Sequence, residues 1–191
     1  MNLKHALIFV FFSLNIYSQT ETQSLSLIPW PKEIQVQQGF FKINPEFSLN
    51  ITGNTHPRIY KAATHFLRRL DGRTGLFLKQ GFITKANENP KAQLQIHCKR
   101  KGDGGIYEDE SYSLEINEKS IKIDAVTDIG ALRALETLLQ LLQNDSNAFF
   151  FPSVSISDRP EFKWRGLMID VARHFQPVEV IKRNIDAMAA V

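Results

Sequence analysis

The sequence predicts an α+β body of mostly antiparallel strands with helices on one face, followed by the first strand and helix of a larger α/β domain. Three observations carry that reading. Apolar and polar residues alternate along paired segments in the middle of the chain, as in strands with one wet face. Two amphipathic helical stripes are interleaved with those segments. After a proline-marked junction near residue 158 comes a near-continuous apolar run, the pattern of a strand buried on both faces of a parallel sheet.

The first eighteen residues stand apart from the fold. Lys4 supplies a positive start, Ala6 to Ile16 is an apolar run, and Ser18 is a small residue before a cleavage point. Residues 1–18 read as a secretory signal peptide, too short for a comfortable membrane span. No cysteine sits near the cleavage point, so no lipid anchor is expected. Export places the mature chain in the periplasm or outside the cell.

Residues 19–157 make the α+β body. Leu27 to Trp30 is apolar, with Pro29 and Pro31 flanking the Trp. Short strands are predicted over Glu33–Gln37, Phe40–Ile43 and Phe47–Thr52, punctuated by Gly39, Pro45 and Gly53. A helix follows, with Asn54 or Thr55 as cap, Pro57 in its first turn and Asp71-Gly72 at its end. Ile59, Ala62, Ala63, Phe66, Leu67 and Leu70 share one face of it. Leu94, Ile96 and Cys98 alternate with polar residues. Tyr112, Leu114 and Ile116 alternate likewise, Asn117–Ser120 turns the chain, and Ile121, Ile123 and Ala125 return, which makes a hairpin. The second helix has Asp128 as N-cap and a stripe of Ile129, Leu132, Leu135, Leu138, Leu139 and Leu142.

Residues 158–191 differ in character. Val154 to Ser157 leads into Asp158-Arg159-Pro160. Then Trp164 to Val171 is apolar throughout except Arg165 and the closing Asp170. A helix opens at Pro177 with Val178, Val180, Ile181, Ile185, Met188 and Ala189 as its stripe. A lone parallel strand has two unpaired edges, so this βα unit is expected to be the start of a domain whose remaining strands lie elsewhere.

Composition excludes several function classes. Formal charge is +3, from 23 basic and 20 acidic residues, and falls to +2 once Lys4 leaves with the leader. That is too slight for a nucleic-acid surface. The cluster Lys99-Arg100-Lys101 runs into glycines and reads as a solvated turn. Cys98 is the single cysteine, so no internal disulfide forms, and its strand position makes it a small buried side chain rather than a nucleophile. His56, His65 and His97 are scattered surface residues. Asp109-Glu110 reads as a solvated turn. No metal-ligand spacing or phosphate loop is present, so no cofactor or metal is expected.

Three stretches together resemble family 20 glycoside hydrolases, the β-N-acetylhexosaminidases. The first is Leu27-Ile28-Pro29-Trp30-Pro31-Lys32, similar to the opening of that family's accessory domain. The second is Glu110 to Leu114 together with Gly130 to Leu141, including Thr137-Leu138-Leu139-Gln140-Leu141. The third and most specific is Asp158-Arg159-Pro160-Glu161-Phe162-Lys163-Trp164-Arg165-Gly166-Leu167-Met168-Ile169-Asp170-Val171-Ala172-Arg173-His174-Phe175, similar to the family's opening of its catalytic (β/α)₈ barrel.

The resemblance implies an α+β accessory domain and a truncated barrel start. It implies exo-acting removal of terminal β-linked N-acetylglucosamine or N-acetylgalactosamine from glycans, with retention, using the substrate's acetamido oxygen as nucleophile. An adjacent Asp-Glu pair does the protein's share in the family, near the end of the fourth barrel strand. No catalytic residue is therefore expected within these 191 residues, and the chain by itself is expected to be inactive. Arg165 matches the family's arginine that reaches the 3- and 4-hydroxyls of the terminal sugar, a task suited to a forked guanidinium. The competing role for Arg165 is pairing with a carboxylate in the barrel wall. Asp170, Arg173 and His174 read as mutual partners that fix the first loop, with pocket lining as the alternative. Trp164 reads as core rather than as a sugar platform. The other function class compatible with the sequence is a non-catalytic exported module that binds glycans or a partner.

Overall fold

The computed structural model describes residues 25–86 and 88–190. The signal peptide assigned to residues 1–18 lies outside the described residues.

The body is one mixed sheet. Its strands are β1 (Glu33–Lys42), β2 (Leu49–Gly53), β3 (Leu94–Arg100), β4 (Tyr112–Ile116), β5 (Ile121–Thr127), β6 (Gln143–Asn144) and β7 (Phe149–Asp158). Helix α1 (Arg58–Thr74) lies between β2 and β3, and α2 (Asp128–Gln140) follows β5. The strand order is β1-β7-β4-β5-β3-β2, with β6 beside β7. β1, β4, β5, β6 and β7 pair antiparallel, while β2–β3 and β3–β5 pair parallel. Antiparallel pairing thus dominates, but one half of the sheet is parallel. The α1 crossover between β2 and β3 requires that half, because parallel neighbours need a long connection.

The predicted hairpin forms in register, with Tyr112 opposite Ala125, Leu114 opposite Ile123 and Ile116 opposite Ile121. The turn closes by the Asn117 N–H donating to the Ser120 carbonyl at 3.0 Å. Leu94, Ile96, Leu114, Ile116, Ile121 and Ile123 are fully buried against Ile59, Phe66, Leu67 and Leu70 of α1 and Leu135, Leu138 and Leu139 of α2. Burial of that many large side chains is the main stabilising term, at roughly 1.5–3 kcal/mol each.

Several boundaries differ from the sequence expectations. The two strands expected over Glu33–Gln37 and Phe40–Ile43 are one strand, β1, interrupted by a bulge between Val36 and Phe40. Gly39, at φ +95°, takes the left-handed conformation that the bulge needs. Helix α1 runs past Asp71-Gly72 and stops at Gly75, whose φ of 65° lets its N–H reach the Asp71 carbonyl. Its N-cap position is Pro57, with no side-chain cap. The N-cap of α2 is Thr127 rather than Asp128, with the Thr127 hydroxyl accepting from the Gly130 N–H. Strand β7 was not anticipated. It is flanked by β1 and β4 in the sheet, and Pro152 masks it as a strand. Pro152 is tolerated because it pairs beside the β1 bulge and falls in the gap between the stretches of β7 covered by β4 and β6.

The strand predicted over Trp164–Val171 does not form. Those residues run without a ladder, and Trp164 is 76% and Met168 96% exposed. The core role assigned to Trp164 is therefore corrected. The cause is the one that makes a lone strand unstable: β7 already has partners on both sides, so the sheet offers this stretch no adjacent edge. Helix α3 (Val178–Ala189) forms as predicted, with no buried residue. Phe162, Leu167, Val171, Phe175 and Ile185 are likewise exposed.

Candidate functional site

The charged cluster where the tail leaves the sheet is built from Glu110, Arg133 and Arg165. Glu110 precedes β4, and its backbone is fixed by α2. Gly130 lets the first turn of α2 come so close that a Cβ there would sit 2.5 Å from the Ser111 carbonyl oxygen. The Thr127 hydroxyl donates to the Asp109 carbonyl at 2.7 Å. One turn further along α2, Arg133 Nε donates to Glu110 Oε2 at 2.7 Å.

Arg165 approaches the same carboxylate from the tail. Its Nη2 lies 2.8 Å from Glu110 Oε1 and 2.7 Å from Oε2, and its Nη1 donates to the Phe162 carbonyl. The Glu110 side chain is 14% exposed. Burial opposes its ionisation, but the Arg165 and Arg133 guanidiniums outweigh burial and hold the carboxyl below the usual range. The expectation of a solvated turn is thus corrected for Glu110, whereas Asp109 is exposed. Sequence reasoning missed Glu110 because its partners stand 23 and 55 residues away. Its position at the start of an alternating strand was the one available signal. Nearby, Lys163 Nζ sits 5.1 Å from the centre of the Tyr107 ring.

The remaining tail residues are not brought into this cluster. Asp170 pairs with Arg173 at 2.7 Å and accepts the N–H groups of Ala172 and Arg173, which hold its carboxyl below the usual range. His174 is exposed.

Two further polar knots shape the junction. Asp158, the last residue of β7, accepts from the Lys32 N–H at 3.0 Å and from the Tyr112 hydroxyl at 3.1 Å. Burial and the Asp158 charge push the Tyr112 phenol upward against the Thr137 hydrogen bond. Lys32, Tyr112, Ser113, Asp124, Ser157 and Arg159 are among the residues bordering an open hollow of about 330 Å³ beside this knot. Gln140, at the end of α2, brackets the N-terminal arm: the Ile28 N–H donates to its Oε1 at 2.8 Å and its Nε2 donates to the Ile28 carbonyl at 3.0 Å. The same Nε2 reaches the Ala190 carbonyl at 3.1 Å. Among the described residues no group of three or more His, Cys, Asp or Glu side chains could hold a metal ion.

Comparison with known proteins places both parts of the chain. Residues 24–159 match the family profile for domain 2 of glycosyl hydrolase family 20, and residues 162–191 match that family's catalytic domain. The structure of the Flavobacterium johnsoniae chitobiase is 59% identical, superposes with a TM-score of 0.84, and is covered over 87% of this chain and 25% of its own. An exo β-N-acetylglucosaminidase from Vibrio harveyi, solved with N-acetylglucosamine, is 30% identical with a TM-score of 0.64, over 86% of this chain and 24% of its own. The β-hexosaminidase subunit A1 of Dictyostelium discoideum is 30% identical over 95% of this chain and 33% of its own length. The chain thus spans a quarter to a third of these relatives. It is a member of glycoside hydrolase family 20, joining that family's α+β accessory domain to the start of its catalytic barrel.

Proposed function

We propose that this chain is the N-terminal part of an exported exo-β-N-acetylhexosaminidase, which releases terminal β-linked N-acetylglucosamine or N-acetylgalactosamine from glycans with retention. The observation that carries the reading is the 59% identity to the Flavobacterium johnsoniae chitobiase, which extends over 87% of this chain. The complex of the Vibrio harveyi relative with N-acetylglucosamine supports the sugar class.

In this mechanism the acetamido oxygen of the substrate attacks the anomeric carbon, and an adjacent Asp-Glu pair stabilises the acetamido group and protonates the leaving oxygen. We assign that pair to barrel segments beyond residue 191. The role of Arg165 at the vicinal 3- and 4-hydroxyls of the terminal sugar rests on the resemblance alone; its contacts to the Glu110 carboxylate and the Phe162 carbonyl support the competing role, an arginine held in a structural ion pair. Charge balance argues against a nucleic-acid partner.

Two assays test the proposal. The complete coding sequence should yield an enzyme that hydrolyses a chromogenic β-N-acetylglucosaminide with retention, whereas the 191-residue chain should show no turnover. Purified activity in the 191-residue chain would overturn the assignment of the acid-base pair. An intact product of the whole gene that binds but never cleaves such substrates would favour a non-catalytic glycan-binding module.

A further inference from the structure

We propose that Gln140 is a clasp that fastens the first helix of the catalytic domain, α3, to the N-terminal arm of the accessory domain. Its side chain makes three hydrogen bonds, each to backbone from a distant part of the chain. Oε1 accepts the Ile28 N–H at 2.8 Å, and Nε2 donates to the Ile28 carbonyl at 3.0 Å and to the Ala190 carbonyl at 3.1 Å. A carboxamide carries two N–H donors and one carbonyl acceptor. Both donors are engaged here, and no other side chain of that length offers the same set.

Each contact closes something that local structure leaves open. Ala190 is the C-cap residue of α3, a helix with no basic residue in its last turn. The last carbonyls of a helix have no partner within it, and Gln140 supplies one from the end of α2. Ile28 lies outside the strands, so one amide serves both its N–H and its carbonyl, as a neighbouring strand would. The arm is fixed on both sides of that grip. Leu27 is buried in the accessory-domain core, and the Lys32 N–H donates to Asp158, where β7 gives way to the tail. Pro29 and Pro31 restrict the backbone between these ties. Helix α3 buries no residue of its own, so packing does not set its orientation toward the accessory domain, and a hydrogen-bonded clasp can. The clasp is uncharged, unlike the Glu110–Arg165 pair that holds the beginning of the tail.

The test is hydrogen–deuterium exchange, read by mass spectrometry on the enzyme expressed from the complete coding sequence, with Gln140→Ala and Gln140→Glu beside the parent. Gln140→Ala removes all three bonds. It should speed exchange in peptides spanning residues 25–28 and 186–190 by about fivefold or more, the scale of one lost hydrogen bond. Strands β4 and β5 should exchange as in the parent. Gln140→Glu keeps an acceptor for the Ile28 N–H but has no donor for either carbonyl. It should release the last turn of α3 as fully as Gln140→Ala, while the arm keeps more of its protection.

Unchanged exchange of either segment in Gln140→Ala overturns the clasp. So does an acceleration that extends equally through β4 and β5, which would assign Gln140 to accessory-domain stability alone. A Gln140→Glu that leaves the last turn of α3 at parental protection overturns the donor role of Nε2 and with it the link between the domains. Failure of both variants to fold would overturn the proposal in the same way as uniform loosening.

Discussion

Arg58 and Asp128 form a buried ion pair whose two ends should respond unequally to removal. Asp128 is the first residue of α2 and is 0% exposed, whereas the Arg58 side chain is 31% exposed. Arg58 Nε lies 2.9 Å from Asp128 Oδ2 without hydrogen-bond alignment, so their attraction is chiefly coulombic. Asp128 Oδ1 accepts the Gly102 N–H at 2.6 Å, and Arg58 Nη2 donates to the Gly102 carbonyl at 3.0 Å. Arg58→Ala removes the countercharge from a carboxylate that is sealed from water in the intact pair, which costs up to about 3–5 kcal/mol. Asp128→Ala loses the charge-assisted bond to Gly102, about 1.5–3 kcal/mol, but the abandoned Arg58 can turn toward solvent. Arg58→Ala should therefore be the more damaging change, lowering Tm by roughly 10 °C at about 2–4 °C per kcal/mol. The double variant should cost less than the two single changes together by about 1–3 kcal/mol. Urea and thermal unfolding of the chain followed by circular dichroism measures all three. Equal single effects below about 0.5 kcal/mol, the scale of an ordinary surface change, or strict additivity, would refute the reasoning.

Three further outcomes follow from individual residues. Gly53 has φ +88°, and a Cβ there would lie 2.1 Å from the Cys98 carbonyl oxygen, so Gly53→Ala should destabilise by at least the roughly 1–3 kcal/mol of backbone strain, read from urea midpoints. Burial, with help from the Asp128 and Asp124 charges, pushes the Cys98 thiol from 9.0 up to about 12. An aromatic disulfide reagent at pH 8 should therefore label Cys98 only as fast as the protein opens, and rapid labelling of the native chain would contradict its burial. The Arg100 hydrogen bond, then the backbone N–H groups of Asp103 and Asp109, hold Glu108 at about 2 against an ordinary 4.5. A depressed folded value means that this stability is complete above about pH 4.5 and is lost as pH falls toward 2. Arg100 is half exposed, so solvent screening keeps the effect small; Glu108→Gln should flatten the urea midpoint across that window.

What could be read from the sequence was whatever local periodicity encodes. Tyr112–Ile116 and Ile121–Ala125 alternate with period two on either side of an Asn–Ser turn, so their pairing and sidedness followed without coordinates. The stripes of α1, α2 and α3 were equally plain, because one face of each repeats at helical spacing. Cap positions shifted by a few residues: Thr127 and Asp128 are both good cap residues, and the Gly102 N–H and Arg58, brought in from distant parts of the chain, engage Asp128 and leave the cap to Thr127. Family membership rested on Asp158 to Phe175, a stretch recognisable by its residues though its predicted strand has no ladder.

Tertiary structure decided everything that depends on distant neighbours. The parallel β2–β3–β5 half looks, residue by residue, like any half-buried strand set, because alternation records which face is wet and not which way the partner runs. Strand β7 was hidden by Pro152, whose missing N–H is harmless only beside the β1 bulge. The fate of Trp164 to Val171 shows the same limit from the other side. An apolar run dictates that a segment seeks burial, but hydrogen-bonded partners on both edges are what make it a strand. Glu110 gave no hint of its role beyond its place at the start of an alternating strand, since an ion pair to Arg133 and Arg165 exists only once α2 and the tail converge on one carboxylate. Side-chain periodicity is a property of neighbours in sequence; charge pairing, edge satisfaction and strand direction are properties of neighbours in space.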